Sequence, residues 1–329
     1  MAATGTTRAR FFHISSFTKG TRLLGNPAGV VLLPAGCAFH DSTLLRCALE
    51  LNLSETAFLS PLDPSAAFES ASAFLLRWFS PKKEVALCGH GTLAAAHALV
   101  ALGNASPTLV FHTLSGALVV SVNAFAPPTD PNTPARSDLT MNFPCNAPSP
   151  RDPADPAVRA IADILLGRPA SAQEAQQGAF RCFYSARGKK AVLVLPPGSE
   201  ALIASLEPSV DALLAVEQPE GSRIEGVTVA CAAAGGAAPA APVASFSTRY
   251  WSPWNLGKQG EDPVNGSSHT LLAPLFSQLL GLQGGAEMTS TQLSPRGGQL
   301  RVAVLPCGER VTISGEATTV CEGHLWLVA

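Results

Sequence analysis

Charge is scarce in this chain of 329 residues: Asp, Glu, Lys and Arg make up 14%, and the formal net charge is −2. With no basic stripe, nucleic acid is excluded as a primary partner. No apolar run approaches the length of a membrane-spanning helix, so no membrane partner is expected. Cysteine occurs eight times (37, 47, 88, 145, 182, 231, 307 and 321), without a CxxC pair or the ligand spacing of a zinc site. Such thiols read as small buried hydrophobes in a reducing compartment, and a cytoplasmic location is expected. There is no Walker loop and no strand–GxGxxG–helix unit, so neither a cofactor nor a metal is expected. Met1 to Arg10 is polar and lacks the apolar stretch of a secretory signal; it reads as a disordered leader.

What the chain does have is apolar mass, 47% of its residues, and enough length for two cores. It also repeats itself. Arg77-Trp78-Phe79-Ser80-Pro81 returns as Arg249-Tyr250-Trp251-Ser252-Pro253, 172 residues later. Continued without a gap, that register sets Leu93 on Asn265, His97 on His269 and Leu99 on Leu271. Each copy has a Gly-containing turn that opens an apolar, helix-like run. The spacing predicts two copies of one strand–turn–helix–hairpin unit, with two helix N-termini facing a shared cleft suited to an anion. Prolines cluster from Pro144 to Pro156, so the expected domains are 10–146 and 147–329.

Within this frame, strands are expected over Phe11–Phe17, Val30–Leu33, Ser54–Ser60, Phe74–Phe79, Thr108–Thr113, Ala117–Val122 and Asp138–Phe143 in the first half. Helices are expected from Asp41 to about Leu51 and from Gly91 to Leu102, the latter enclosed because its alanines permit close packing on every side. The second half reads as a helix over Ala157–Leu166, strands near Arg181–Ser185, Ala191–Leu195 and Gly226–Cys231, and helices flanking Pro208. Ala232 to Ala241 is a low-complexity loop. Pro274 is expected to kink or break the second repeat helix. Few helices and many hairpins indicate α+β rather than a doubly wound parallel sheet.

The candidate chemistry lies in four places. Glu55 is the one carboxylate in Asn52-Leu53-Ser54-Glu55-Thr56-Ala57-Phe58. It is either a solvent-facing residue at a strand start or a partly buried acid with a raised pKa. No acid matches it in the second half, where Gly226-Val227-Thr228 occupies the comparable strand. His90 lies in the first Gly-rich turn, either as a capping residue or as an imidazole kept neutral by the helix dipole. Cys88 is a buried thiol or a thiolate base activated by the same helix end. In the second turn Asp262 stands in the comparable region, as a helix cap or a catalytic group, and Ser267 can hold a substrate oxygen or its own backbone. Arg296 can clamp a carboxylate or simply be a solvated turn residue. His97 and His269 are assigned to packing.

Six motifs run in one order along the chain: Gly25-Asn26-Pro27-Ala28, the Glu55 segment, Leu76-Arg77-Trp78-Phe79-Ser80-Pro81, Leu87-Cys88-Gly89-His90-Gly91-Thr92-Leu93, Glu261-Asp262-Pro263-Val264-Asn265-Gly266-Ser267, and Arg296-Gly297-Gly298. Together they resemble the PhzF-like (phenazine-biosynthesis-like) family, particularly its eukaryotic phenazine-biosynthesis-like domain proteins, over nearly the whole chain from about residue 11. The resemblance implies a diaminopimelate-epimerase-like fold: two pseudo-symmetric domains, each a curved, antiparallel-rich sheet or barrel around a central helix, with the site in the interdomain cleft. It implies a cofactor-independent isomerase that shifts a proton within a small carboxylic acid, and a homodimer. By the same resemblance Glu55, His90 and Asp262 are catalytic, while Asn26, Gly89, Gly91, Gly266, Ser267 and Arg296 bind substrate. The family usually has Thr where Asn265 stands, and the turn from Pro253 to Asp262 looks about two residues longer here. Cys88-Gly89-His90-Gly91-Thr92 is also similar to the first thiol motif of proline racemases. A Cys88-dependent epimerase or racemase is therefore an alternative, and a non-catalytic ligand-binding or interaction protein on the same fold is another.

Overall fold

The computed structural model describes residues 5–20, 24–34, 36–37, 39–130, 133–169, 178–218, 223–234 and 244–328. It divides into two units: 1–142 with 314–329, and 143–313. The first break falls between 142 and 143, just before the proline cluster from Pro144 to Pro156. Residues 314–329 return to the first unit, whereas the sequence reading assigned 147–329 to the second.

The first unit is a ring of strands. β1 (Thr6–Thr18), β2 (Asn26–Leu32), β3 (Glu55–Pro61), β4 (Ala73–Phe79), β6 (Thr108–Thr113), β7 (Gly116–Ala126) and β8 (Arg136–Pro144) pair in succession, with β5 (Glu84–Val85) hung on β4. β17 (Arg310–Val328) pairs with both β8 and β1 and closes the ring at eight strands. Closure corrects the reading of the N-terminus as a disordered leader. Thr6 to Arg10 are strand residues set against Val328 to His324, and Ala9 is buried. A polar segment becomes a strand when a distant partner supplies its ladder, which local composition cannot reveal. Met1 to Thr4 lie outside the described residues.

The Gly89–Ala101 helix packs against β1, β2, β3 and β7, and every residue from Gly89 to Val100 is buried. Ala94, Ala95, Ala96 and Ala98 allow that enclosure without the width of larger side chains. His97 has no exposed surface; its Nδ1 lies 2.7 Å from Ser137 Oγ and its Nε2 2.9 Å from Thr319 Oγ1. Both ring nitrogens are thus partnered, in the packing role expected.

The second unit repeats the pairing pattern. β9 (Ser149–Arg151), β10 (Arg181–Ser185), β11 (Lys190–Val194), β12 (Gly226–Ala232), β13 (Ala244–Trp251), β15 (Glu287–Gln292) and β16 (Gly298–Val304) follow one another, with β14 (Glu261–Asp262) on β13. The parallel pairs β11–β12 and β13–β15 match β2–β3 and β4–β6 in the first unit. One face of the sheet packs Ile161, Leu165, Ile203 and Leu213 of three helices, Pro156–Leu166, Glu200–Ser205 and Val210–Ala215. The loop expected over Ala232–Ala241 falls largely outside the described residues, its first residue ending β12.

The duplication survives, but not in the ungapped register. Arg77 donates to both carboxylate oxygens of Glu84 at 2.7 Å, seven residues on; Arg249 does the same to Glu261 at 2.7 Å, twelve residues on. The extra residues form a short helix, Pro253–Leu256, and a 3-10 turn, Gly257–Gln259. Beyond them Cys88 corresponds to Asn265 as the helix N-cap, and Val85 to Asp262 in the ladder. His269 therefore matches Thr92, not His97: Thr92 Oγ1 donates to Cys88 O at 2.6 Å, and His269 Nδ1 lies 2.6 Å from Asn265 O.

Pro274 neither breaks nor shortens the Gly266–Leu279 helix. A proline removes one N–H, which here strands the carbonyl of Thr270. That oxygen accepts the backbone N–H of Asn146 at 3.0 Å, while Asn146 Nδ2 donates to Thr270 Oγ1 at 2.9 Å.

The two arginine pairs differ in burial, and this sets an expected difference in stability. Arg249 is 5% exposed, and its Nη1 also donates to the carbonyls of Ile203, Ala204 and Leu206 at the end of the Glu200–Ser205 helix. Arg77 is 34% exposed, beside Asp41 as well as Glu84. Arg249→Ala strands a half-buried carboxylate and three carbonyls and should cost about 3 kcal/mol; Arg77→Ala should cost about 1 kcal/mol. Urea titration of both variants checks this, and equal losses would contradict it.

Candidate active site

Three element starts converge in the first unit: Asn26 opens β2, Glu55 opens β3 and Gly89 opens the central helix. The parallel β2–β3 ladder sets Ala28 beside Glu55, bringing the Gly25–Ala28 motif to the acid. Glu55 Oε2 lies 3.3 Å from His90 Nε2, with the two side chains 14% and 5% exposed. This corrects the reading of Glu55 as a solvent-facing strand-start residue. The side chain is mostly withdrawn from water, against the second residue of the helix.

His90 is held from several sides. Asn26, fully buried, places its amide 3.2 Å from Nδ1, and Ser54 Oγ lies 3.1 Å from Nε2. The His90 carbonyl accepts from Ser16 Oγ at 2.8 Å. Burial pushes the imidazole down to about 3, so the ring is neutral near pH 7. Desolvation, more than the helix dipole invoked from the sequence, is the cause. Its contact with Glu55 at neutral pH is therefore a hydrogen bond and not an ion pair.

Cys88 is the helix N-cap, and its Sγ accepts the Gly91 N–H at 3.3 Å. The sulfur lies 3.6 Å from His90 Nδ1. Gly91 is required by close approach: a Cβ there would sit 2.8 Å from the Trp78 indole and 3.0 Å from Cys88 Sγ. A glycine is likewise required where the second unit has no acid. A Cβ at Gly226 would lie within van der Waals overlap of the Tyr250 hydroxyl, so the aromatic ring takes the space that a side chain would need. The β3 and β12 ladders set Glu55 and Gly226 at equivalent positions.

In the second unit Asp262, 6% exposed, accepts from Asn265 Nδ2 at 2.6 Å. Asp262 is not the helix cap. Asn265 is, its Oδ1 accepting from Ser268 N at 2.6 Å and from Ser267 Oγ at 3.0 Å. Gln292 ties the turn from the β15 side, accepting from Asn265 N at 2.9 Å and donating to Asp262 O at 2.6 Å. Gly266 is the first helical residue and is buried. Arg296 stands exposed in the β15–β16 turn, and Ser294 of that turn donates to Pro263 O at 2.7 Å. Asn26, Glu55, Gly89, His90 and Gly91 are thus grouped in one unit, and Asp262, Gly266 and Ser267 in the other. Ser54, Asn265 and Gln292 are functional neighbours that the sequence reading did not assign. The first two sit inside its motifs, and Gln292 carries no local signal.

Among the described residues no helix is long and apolar enough to cross a membrane. Residues 14–323 match the phenazine biosynthesis-like protein family, PhzC–PhzF. The chain is 35% identical to a phenazine biosynthesis-like domain-containing protein 1 of Mus musculus, over 95% of this chain and 98% of that one. It is 34% identical to an uncharacterized isomerase of Pseudomonas aeruginosa, over 96% and 98% of the two chains. Its fold superposes on a PhzF-family crystal structure from Enterococcus faecalis with a TM-score of 0.72 and 27% identity, covering 97% of this chain and 99% of that one. Duplicated sheets, each with its own central helix, and matches of this extent establish the chain as a member of the PhzC–PhzF family, with the diaminopimelate-epimerase-like α+β fold.

Proposed function

We propose that this chain, an isomerase of the PhzC–PhzF family, moves a proton between carbons of a small carboxylic acid, with Glu55 as the group that takes and returns it. The observation that carries this reading is the placement of Glu55. It is largely shielded from water, 3.3 Å from a neutral His90, at the N-terminal end of a buried helix. A carboxylate so placed can accept a proton as a base and return it as an acid. The substrate carboxylate is held by backbone N–H groups of the helix starts at Gly89 and Gly266, whose partial positive charge favours an anion. Asp262, aligned by Asn265, and Ser267 orient the substrate. A single acid relaying one proton suits a shift on one face of the substrate, whereas inversion at a carbon calls for groups on two faces. Acid–base relay of this kind requires no cofactor.

The test is solvent deuterium exchange into a library of small carboxylic acids, with and without Glu55→Gln. Label entering with wild type alone identifies both the compound class and the base. Label entering equally with the variant rejects the assignment.

A thiol mechanism is the second reading, favoured by the Gly91 N–H directed at Cys88 Sγ. Its weakness is the second N-cap, Asn265, which has no thiol to act from an opposite face. Cys88→Ser separates the two, since serine keeps the N-cap. Turnover should fall far less than in Glu55→Gln under the glutamate reading, and at least as far under the thiol reading.

A further inference from the structure

We propose that Glu55, Cys88 and His90 form a zinc-binding site, with a fourth coordination position left for a molecule from solution. One ligand atom from each of these residues lies within 4.8 Å of the other two. A tetrahedral zinc with ordinary Zn–N, Zn–O and Zn–S bonds has ligand–ligand edges of roughly 3.3–3.6 Å. Glu55 Oε2 to His90 Nε2 is 3.3 Å, and Cys88 Sγ lies 4.0 Å from Nε2 and 3.6 Å from Nδ1. The Glu55–Nε2 edge already fits, and the Cys88 sulfur, now nearer Nδ1, must swing toward Nε2 to complete the geometry.

The absence of a CxxC pair hid this arrangement because the ligands come from two elements. Glu55 arrives on the first residue of β3, and Cys88 and His90 flank the first residue of the helix. The set of sulfur, imidazole nitrogen and carboxylate oxygen suits Zn²⁺ better than a hard cation such as Mg²⁺. A helix N-cap favours the thiolate that zinc needs, and the Gly91 N–H already points at the sulfur. Zinc binding displaces the thiol proton to solvent; thiolate and carboxylate together then balance the charge of the ion. Coordination through Nε2 leaves the ring proton on Nδ1, so the Asn26 amide, whose Nδ2 lies 3.2 Å from Nδ1, must turn its oxygen to accept that proton and serve as the outer partner.

Binding stands on this geometry alone. Its consequence rests on the proton-shift reading: a coordinated Glu55 can no longer accept a proton from carbon, so zinc should be an inhibitor.

The experiment is calorimetric titration of the purified full chain with ZnCl₂, alongside the absorption spectrum with CoCl₂. Exposed Cys307 and Cys321 are first replaced by serine, which removes accessible competing thiols. One zinc per chain and a sulfur-to-cobalt charge-transfer band are expected. Cys88→Ser should remove the band and weaken zinc by about a hundredfold or more, and Glu55→Gln by about tenfold. No one-to-one binding, or unchanged affinity and band in Cys88→Ser, would overturn the site. Deuterium exchange then separates the two ideas. Exchange that falls with zinc occupancy and returns with a chelator supports inhibition; exchange persisting in the loaded protein overturns it. Zinc binding by a metal-free protein that exchanges no acid defeats the isomerase reading while leaving the site intact.

Discussion

Replacing Glu55 with glutamine should lower proton exchange into substrate by about 10²–10⁴-fold, the usual worth of a positioned acid–base group. The amide is nearly the same size as the carboxylate and can still meet His90 Nε2, since the imidazole is neutral and pairs by hydrogen bond. Folding should therefore be close to wild type, and affinity for a substrate-like carboxylate should change little. The expected signature is a collapse of kcat with a near-constant KM, read as loss of an interaction made in the transition state. A variant that unfolds, or that loses affinity in proportion to rate, would instead make Glu55 a packing residue. His90 cannot supply the missing proton, because its pKa near 3 leaves it without a titratable proton near neutrality.

The second large effect is on stability in acid. His90, His97 and His269 are buried, and burial pushes them down to about 3, about 4 and about 4 from an ordinary 6.5. A group whose native pKa is depressed takes up its proton first in the unfolded chain. Stability is therefore full above pH 6.5, falls as pH drops below it, and stops falling only near the native pKa. Each such histidine contributes about 1.4 kcal/mol per pH unit inside that window. The first unit holds two of them and the second holds one. The first should lose about 3 kcal/mol per pH unit and the second about half as much, between roughly pH 6 and pH 5, above the range where carboxylates titrate. Denaturant midpoints measured across that interval test the sign and the ratio. His97→Asn should remove one proton's worth of slope from the first unit; an unchanged slope would show that His97 is not held neutral.

Much of the fold was legible in the sequence because much of it is local. The helices around Asp41–Leu51, Ala157–Leu166 and Pro208, and the strands over Thr108–Thr113 and Arg181–Ser185, stand where periodicity and turn residues place them. The errors lie where a distant partner decides. Thr6 to Arg10 are strand because the C-terminal strand pairs with them. Pro274 remains inside a helix because Asn146 accepts the role of the missing donor. The repeat register failed at one insertion, Pro253–Gln259: the ungapped spacing set Leu93 on Asn265, whereas the structure makes Cys88 and Asn265 the matching N-caps.

By itself the sequence determined the duplication, the α+β class, the family and the short list of acids, histidines and glycines, since these reside in motifs a few residues long. Only the tertiary structure decided that Glu55 is shielded beside His90, that Gly226 leaves room for Tyr250, and that a thiol, an imidazole and a carboxylate from two elements meet. Pairing, burial and pKa depend on side chains brought together from dozens or hundreds of residues away, and such encounters leave no mark on local spacing.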